Sequence, residues 1–575
     1  MNSRTQNRRL KQPRLLGPAA LVVMLAGCSL AAPPHPGLLA ASPVGKTAPG
    51  YYLTHLDGLR AKGVNQVYNP FVKNVGRESL AQAAALAGEL RLLAVLVEFT
   101  DHPASVGESF FDSLVFGTQG ATVSSYYGEI SYGQLDLVTL HLPSSVGWVT
   151  APNTYAYYVD GKSGTGDYPR NTQKLVEDIV DMIDAAVDFA QYDNDGDGFV
   201  DNLMVVHSGP GAEFSGGDDD IWSHKYAIAP REKDNVYIST YTIQPEYWTE
   251  PGDMTVGIYA HELGHVFGLP DLYDTDYSSR GIGRWGLMSY GSWNGPSGMG
   301  ESPAHPCAWS RAVMGFVVPS EITASRYEAA MSDVETGGPV FRLPTAVPGN
   351  QYFLVENRQR VGFDAHLPGS GLLIWHVDES YEDNQYEWWP EAAGSNHYAV
   401  ALEQADGLYE LERNMDYGDA GDCFPGTTAN NAFTAHSRPS SDTYASIATG
   451  VAVDNIAMAG HTMYADLVVD SSAISTGLDD NLPFTLTLSQ NYPNPFNPAT
   501  IIEFSLEYAS EVRLEVFNTL GRLVTVIIDD TRGPGLTRVA WDGCDQAGRD
   551  VASGVYYYSV TAGDKRQVKK MMLVR

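Results

Sequence analysis

The feature that most restricts the fold of this chain is the run from His261 to Asp271, HELGHVFGLPD. In an α-helix of about 3.6 residues per turn, positions i and i+4 lie on one face. His261 and His265 therefore point to one place, and Glu262 stands beside them. Two imidazoles with a neighbouring carboxylate are typical of catalytic zinc sites. The spacing therefore predicts a zinc-binding helix with Glu262 as general base.

A catalytic zinc ion takes three protein ligands and leaves a fourth position for water. Gly268 can adopt the left-handed backbone that ends a helix, and this turn would return Asp271 to the histidines as the third ligand. Asp274 and Asp276 follow closely and remain alternatives for that position. Asp253 or Thr255 is expected to cap the helix, whose apolar residues keep helical spacing: Val256, Tyr259, Ala260, Leu263, Val266 and Phe267.

Residues 285–291, WGLMSYG, resemble the methionine turn that lies beneath the zinc site of metzincin peptidases. In that arrangement Met288 forms a soft apolar floor under the imidazoles. Tyr290 is then a candidate catalytic residue that hydrogen-bonds a developing oxyanion or binds the zinc. The alternative is a methionine and a tyrosine in an ordinary core loop.

With these motifs in place, the chain resembles the immune inhibitor A family of secreted bacterial zinc metalloproteases. The matching segments before the motif are 92–101 (LLAVLVEFTD) and 125–133 (SYYGEISYG), and those after it are 309–311, 314–316, 356–358 and 371–377. The resemblance runs from about residue 90 to 460. It implies an α+β fold with a metzincin-like catalytic domain, zinc ligands His261, His265 and Asp271, and Glu262 as base.

The motif and the resemblance together predict a secreted or cell-surface zinc-dependent endopeptidase that acts on protein or peptide substrates. The zinc polarises a peptide carbonyl, while Glu262 takes a proton from the water and later gives it to the departing amine. Ser289 and Cys307 lie in no nucleophile motif, so structural roles are expected for them. The alternative is a surface-attached adhesive or scaffold protein with little activity, but a scaffold needs no base at position 262.

A second metal signal is the run 193–201, DNDGDGFVD, in which oxygen ligands recur at alternate positions as in an EF-hand loop. The position of the final bidentate glutamate holds Met204 instead, within a sequence that reads as a buried strand. We therefore expect a structural calcium loop between an amphipathic helix and a strand, rather than a merely solvated turn. Its candidate ligands are Asp193, Asp195, Asp197 and Asp201.

Asp419 and Asp422, in a glycine-rich turn, are further calcium candidates. Their register does not alternate, so a solvated acidic loop is an equal alternative. Across the chain, 36 lysines and arginines face 69 acidic residues, for a net charge of −33. This balance excludes nucleic-acid binding, or binding to an anionic membrane, through a basic face.

The first 28 residues are predicted to be a bacterial signal peptide, because several arginines precede the apolar run 15–26. The sequence LAGC at 25–28 resembles a lipobox, which would make Cys28 a lipidated residue and the means of membrane attachment. The alternative is a plain signal peptide cut near Ala31 or Ala32. Residues 29–88 are expected to be a pro-segment, 89–345 the catalytic domain and 346–470 a β-rich subdomain.

A serine-rich linker at 471–486 leads to a C-terminal domain at 487–575. Its short apolar strands between turns predict an Ig-like β-sandwich. The sequence resembles the sorting domains of type IX secretion and the flagellar hook-cap domain, which implies secretion machinery as a partner and an extracellular or outer-surface location. The alternative is a plain accessory β-domain.

Overall fold

The computed structural model describes residues 32–40, 86–347, 349–392 and 396–469. It also describes 486–574 apart from 489–490, 492–493, 495, 507–509, 520–521, 533–534, 547–548, 550 and 563–564. The signal peptide, Cys28, the linker and most of the pro-segment lie outside these residues. Among the described residues, no helix is long and apolar enough to cross a membrane.

The predicted catalytic part is built on a five-stranded mixed sheet with the strand order β4-β2-β5-β7-β6. The first four strands in this order are parallel, and β6 runs antiparallel along the edge. Strands β2 and β5 are buried almost throughout because both faces of the sheet are covered. The strands of this part are β1 Gly88–Arg91, β2 Leu93–Glu98, β3 Leu135–Val138, β4 Trp148–Thr150, β5 Leu203–Pro210, β6 His224–Lys233 and β7 Val236–Tyr247.

Helices pack on both faces of this sheet and produce two apolar cores. They are α1 Pro36–Ala40, α2 Ser109–Phe116, α3 Val123–Ile130, α4 Pro143–Val146, α5 Tyr155–Val159, α6 Thr172–Ile183, α7 Ala212–Ser215, α8 Val256–Val266 and α9 Ala308–Val313. Short 3₁₀ turns occupy Phe189–Tyr192, Gly283–Trp285, Tyr290–Trp293, Val334–Thr336 and Gly362–His366.

Helix α6 precedes the acidic loop, as the amphipathic pattern predicts. The Asn171 side chain accepts the Lys174 N–H at its start, and the helix ends at Ile183. The helical spacing of the apolar residues Leu175, Ile179, Met182, Ala186 and Phe189 predicts that Met182 is buried. This prediction is wrong, because 44% of Met182 is exposed. The buried stripe is instead Leu175, Val176, Ile179, Val180 and Ile183.

The β-rich region after the catalytic part contains a five-stranded sheet, ordered β13-β12-β11-β10-β8, and a three-stranded sheet, ordered β14-β15-β9. Apolar residues of the two sheets share one core. The strands are β8 Ser320–Glu321, β9 Arg326–Met331, β10 Phe341–Pro344, β11 Gln351–Arg358, β12 Gly371–Asp378, β13 Val400–Leu402, β14 Val451–Ala459 and β15 Thr462–Val469.

The C-terminal part forms two antiparallel sheets, β16-β17-β20 and β19-β18-β21-β22, around one apolar core. Five of these strands are predicted from apolar stretches of the sequence at 501–506, 512–518, 523–528, 537–541 and 555–561, whereas the first and last strands are not. The strands are β16 Leu486–Leu488, β17 Thr500–Leu506, β18 Ser510–Asn518, β19 Leu523–Arg532, β20 Gly535–Trp541, β21 Gly554–Ala562 and β22 Lys565–Leu573. Helices and strands together give the α+β class that the sequence predicts.

Candidate metal centre

Helix α8 carries the two histidines and is buried along its whole length. Thr255 is its N-cap residue by backbone geometry, but the Thr255 hydroxyl donates to the Met299 carbonyl instead of capping the helix. Asp253, the other predicted cap, accepts backbone N–H groups of the preceding turn, including that of Trp248 at 2.7 Å. The Tyr127 hydroxyl donates to the Ala260 carbonyl at 2.8 Å and holds the helix against α3.

Three donor atoms converge at the second turn of α8. The Nε2 atoms of His261 and His265 are 3.1 Å apart, and they lie 3.2 and 3.3 Å from Asp271 Oδ1. All three side chains are buried. The sequence-predicted ligands are therefore brought together in a compact triad with the donor set of a catalytic zinc site.

Backbone carbonyls orient both imidazoles. His261 Nδ1 lies 2.9 Å from the Leu287 carbonyl oxygen, and His265 Nδ1 lies 2.8 Å from that of Leu269. Because a carbonyl oxygen can only accept a hydrogen bond, each Nδ1 carries the proton, and each Nε2 lone pair is directed at the triad. Burial lowers the pKa of His265, although the Asp271 charge opposes it. The neutral imidazole that a metal requires is therefore the favoured form.

The turn after α8 depends on Gly268, whose φ of +87° lies in the left-handed region. The Leu269 N–H donates to the Gly264 carbonyl at 3.1 Å, which closes the helix and sends the chain back toward Asp271. Met288 lies under the helix at the level of the histidines. A Cβ on Gly264 would come within 2.6 Å of Met288 Sδ, so the methionine packs directly on the helix backbone between the two histidines.

Glu262 is fully buried beside the triad. Burial raises the pKa of Glu262 well above its ordinary value, and the Asp271 and Glu213 charges raise it further. A backbone hydrogen bond from Ala32 acts in the opposite direction. The carboxylate makes no side-chain hydrogen bond among the described residues, so its oxygens remain available to a water or a substrate amine.

The structure separates the alternative aspartates from the triad. Among the described residues, Asp271 is the carboxylate grouped with the two histidines. Asp274 accepts hydrogen bonds from the Ser278 and Ser279 hydroxyls at 2.8 and 2.7 Å. Burial raises the pKa of Asp274 to about 7. Asp276 is exposed and accepts the Ser278 N–H.

Tyr290 is buried, but its neighbours are not the triad. Its ring packs on Tyr417 at 4.7 Å and on Tyr273 at 5.9 Å, and the Arg280 guanidinium lies 5.9 Å from the ring centre. Burial raises the pKa of Tyr290 far above its ordinary value. A role for Tyr290 at the oxyanion stays a prediction.

Three of the four predicted calcium ligands form a second cluster. Carboxylate oxygens of Asp193, Asp195 and Asp197 lie within 4.8 Å of one another. Asp201 is not part of that group: its Oδ2 accepts the Asn194 N–H at 2.8 Å and its side-chain amide at 2.6 Å. Burial raises the pKa of Asp201 to about 8.

Asp419 and Asp422 also meet, together with Asp406, which the sequence pattern does not reveal. Asp422 accepts the Trp285 indole N–H at 2.8 Å, and burial raises its pKa well above the ordinary value. The cluster therefore lies directly behind the turn that contains Met288. The long sequence distance between Asp406 and the other two acids explains why local spacing could not identify it.

Glu213 is a buried acid near Glu262 that the sequence offers only as part of a loose acidic group. Its carboxylate accepts the Ser223 hydroxyl at 2.6 Å and the Ser223 N–H at 3.1 Å. Burial raises the pKa of Glu213 to about 7. It joins α7 to the residue that precedes β6.

Comparison with known proteins identifies two regions. Residues 91–316 match the family model "Immune inhibitor A peptidase M6, catalytic domain", and residues 497–566 match "FlgD Ig-like domain". Immune inhibitor A of Bacillus thuringiensis subsp. alesti is 30% identical over 270 residues, which are 38% of this chain and 39% of the relative. Pre-pro-metalloprotease PrtV of Vibrio cholerae serotype O1 (strain M66-2) is 30% identical over 268 residues, which are 38% of this chain and 29% of the relative.

The chain thus aligns with less than two thirds of either relative. Among solved structures, wild-type OgpA from Akkermansia muciniphila covers 88% of this chain and 97% of its own, at 11% identity and a TM-score of 0.25. A TM-score this low supports no statement about fold or function.

Proposed function

We propose that the chain is a zinc-dependent endopeptidase acting on proteins, because residues 91–316 match the catalytic domain of the immune inhibitor A peptidases. The observation that carries the proposal is the convergence of His261, His265 and Asp271, with Glu262 buried beside them. The Gly268 turn and the Met288 floor support the metzincin-like arrangement of this site.

The donor set fits zinc, because two neutral imidazole nitrogens and one carboxylate leave room for water. When bound there, zinc supplies a positive charge that polarises a carbonyl and lowers the pKa of water. His261 and His265 would hold the ion through Nε2 together with Asp271, while the Leu287 and Leu269 carbonyls orient the two rings. Glu262 accepts a proton from the attacking water and delivers it to the departing amine.

The test distinguishes the role of Glu262 as general base from the role of Asp271 as zinc ligand. Glu262→Gln should retain one zinc per chain by metal analysis but lose roughly 10²–10⁴-fold in the rate of casein cleavage. Asp271→Asn should lose zinc and activity together, whereas Asp276→Asn, its matched control, should lose neither. Phenanthroline should stop cleavage by the unaltered chain. Equal cleavage by the unaltered and Glu262→Gln chains would refute this mechanism.

A second proposal concerns calcium at the loop of Asp193, Asp195 and Asp197. The three carboxylates turn toward one point, and backbone N–H groups hold their loop: the Asp197 N–H lies 3.0 Å from Asp195 Oδ1. Like charges this close repel one another unless a cation balances them. We therefore propose that calcium stabilises the loop between α6 and β5.

The calcium proposal is tested by melting the protein at increasing calcium concentration. The unaltered chain should gain melting temperature with calcium, and the pair Asp195→Asn and Asp197→Asn should lose most of that gain. The exposed pair Asp218→Asn and Asp219→Asn makes the same change in net charge elsewhere and serves as control. If all three proteins gave the same calcium titration, the proposal of a calcium site at this loop would be wrong. We propose no more than a candidate role for Asp419 and Asp422, which the same titration can examine.

We also propose that the protein is exported by its N-terminal signal sequence and that the Ig-like domain at 487–575 engages secretion machinery. The match of residues 497–566 to an Ig-like family supports the domain, and the apolar run 15–26 supports the signal. Fractionation of producing bacteria should find the chain outside the cytoplasm. Cys28→Ser should release it from membranes if Cys28 is lipidated, and an unchanged distribution would indicate a plain signal peptide.

A further inference from the structure

A short stretch of the pro-segment lies in the cleft beside Glu262. Residues 32–36, APPHP, are mostly buried, with Ala32 fully so. The Ala32 N–H donates to the Ser223 carbonyl at 3.3 Å, and the Trp222 indole N–H donates to the Ala32 carbonyl at 3.0 Å. These contacts join the stretch to the segment just before the edge strand β6.

Two more backbone groups of the stretch are bound by the walls of the cleft. The Trp293 indole N–H donates to the Pro33 carbonyl at 2.9 Å, and the His35 N–H donates to the Glu213 carbonyl at 2.8 Å. At the other end, the backbone of Ala32 lies near the carboxylate of Glu262. The stretch therefore lies beside the proposed general base.

The His35 side chain fills an aromatic pocket of the cleft. Its ring centre lies 4.9 Å from that of Phe214 and 4.9 Å from that of Trp293, edge-on to the latter. Trp248 completes the pocket, with its ring 4.9 Å from Trp293 and 5.9 Å from Phe214. His35 Nε2 lies 3.2 Å from the Gly298 carbonyl oxygen. The pocket thus offers His35 two ring contacts, from Phe214 and Trp293, and one polar acceptor, while Trp248 packs against both of those rings.

The prolines explain why this stretch is a ligand suited to the cleft. Each proline fixes φ near −65° and removes a backbone N–H. Less conformational freedom is then lost on binding than for an ordinary peptide. The Pro33 and Ala32 carbonyls still accept hydrogen bonds from the Trp293 and Trp222 indoles. The stretch is therefore held in place without pairing as a β-strand along its whole length.

We propose that Phe214, Trp248 and Trp293 form a specificity subsite for a planar ring side chain, and that His35 occupies it in the full chain. Residues 32–36 then act as an internal competitive ligand that keeps substrate out until they are displaced. This inference rests on the proposed peptidase function, because the subsite would determine which substrate side chains that peptidase prefers. Aromatic side chains on a substrate would take the same pocket once His35 leaves.

The first experiment measures binding without any need for activity. The full chain carrying His35→Ala and Glu262→Gln is titrated with a synthetic, end-blocked APPHP peptide, and binding is followed by tryptophan fluorescence and calorimetry. We expect saturable binding that weakens about tenfold or more when the peptide reads APPAP, because both ring contacts are lost. Equal binding of the two peptides, or none of either, would overturn the subsite.

The second experiment measures cleavage by intact full-length chains whose N-terminal stretch is verified by mass spectrometry. His35→Ala should cleave a fluorogenic peptide faster than the unaltered chain, and added APPHP should inhibit it competitively. His436→Ala, an exposed histidine far along the sequence, is the control and should leave the rate unchanged. An unchanged rate for His35→Ala would overturn the internal inhibition.

The binding and cleavage experiments distinguish failure of the aromatic subsite from failure of the peptidase function. If APPHP binds with the expected dependence on histidine but no chain cleaves any peptide, the peptidase function fails while the aromatic subsite stands. If every chain cleaves equally and APPHP does not bind, the peptidase stands and the subsite fails.

Discussion

Replacing Arg358, which ends β11 in the β-rich region, with methionine should destabilise the protein severely. The Arg358 guanidinium is fully buried and binds both Asp364 oxygens at 2.8 Å. Glu356 and Glu335 lie 3.3 and 3.4 Å from it. Although burial opposes ionisation, the Arg358 charge holds the pKa of Asp364 well below its ordinary range. Arg358→Met would leave Asp364 and Glu335 as buried acids without the Arg358 guanidinium cation.

Removing one partner of a buried ion pair typically costs about 3–5 kcal/mol. For a domain of this size each kcal/mol lowers the melting temperature by roughly 2–4 °C, so the expected fall is roughly 6–20 °C. Arg91→Met is the matched control, since Arg91 forms an exposed pair with Glu89 at 3.2 Å that is worth at most about 1 kcal/mol. The measurement is thermal unfolding followed by circular dichroism.

The loss of stability caused by Arg358→Met should also depend on pH. In the unaltered chain, the lowered pKa of Asp364 contributes stability that is present above 3.8 and lost as the pH falls. Without Arg358, burial would raise that pKa, so the penalty grows as the pH rises. Arg358→Met should therefore be closer to the unaltered chain at about pH 5 than at about pH 8. Equal losses for the Arg358 and Arg91 variants would refute this reasoning.

Three further predictions concern other parts of the chain. Gly257→Ala should lower the melting temperature by several degrees, because its Cβ would overlap a backbone carbonyl oxygen, whereas Gly128→Ala meets no atom within 4 Å and should be neutral or slightly stabilising. Leu514→Ala should cost the C-terminal sandwich about 2–5 kcal/mol, measured by denaturant unfolding, while casein cleavage persists. Burial lowers the pKa of His35, assisted by Arg284, so inhibition by APPHP should weaken as the pH falls below 6.5.

Local spacing accounts for the parts of the site that the sequence anticipates. The i, i+4 separation of His261 and His265 is a property of one helix, and the return of Asp271 needs a single glycine turn. Alternating apolar residues likewise indicate most C-terminal strands before any contact is known. The prediction for Met182 is wrong because the helix ends at Ile183, one turn earlier than its pattern suggests.

Tyr290 shows where local spacing stops being informative. Its distance from the histidines along the chain predicts a catalytic role, but the spacing does not reveal that its ring packs among Arg280, Tyr273 and Tyr417. Asp406 shows the converse, since it joins Asp419 and Asp422 without any spacing signal. In both cases the partners are supplied by segments that are distant in sequence.

The sequence by itself determined the chemistry of the site, because ligand type and helical periodicity are encoded within eleven neighbouring residues from His261 to Asp271. Only the tertiary structure decided what surrounds that chemistry: the methionine against Gly264, the acid at 213 beside the base, and the APPHP stretch in the cleft. These contacts join segments tens to hundreds of residues apart. They arise from packing in three dimensions, which no local repeat in the sequence specifies.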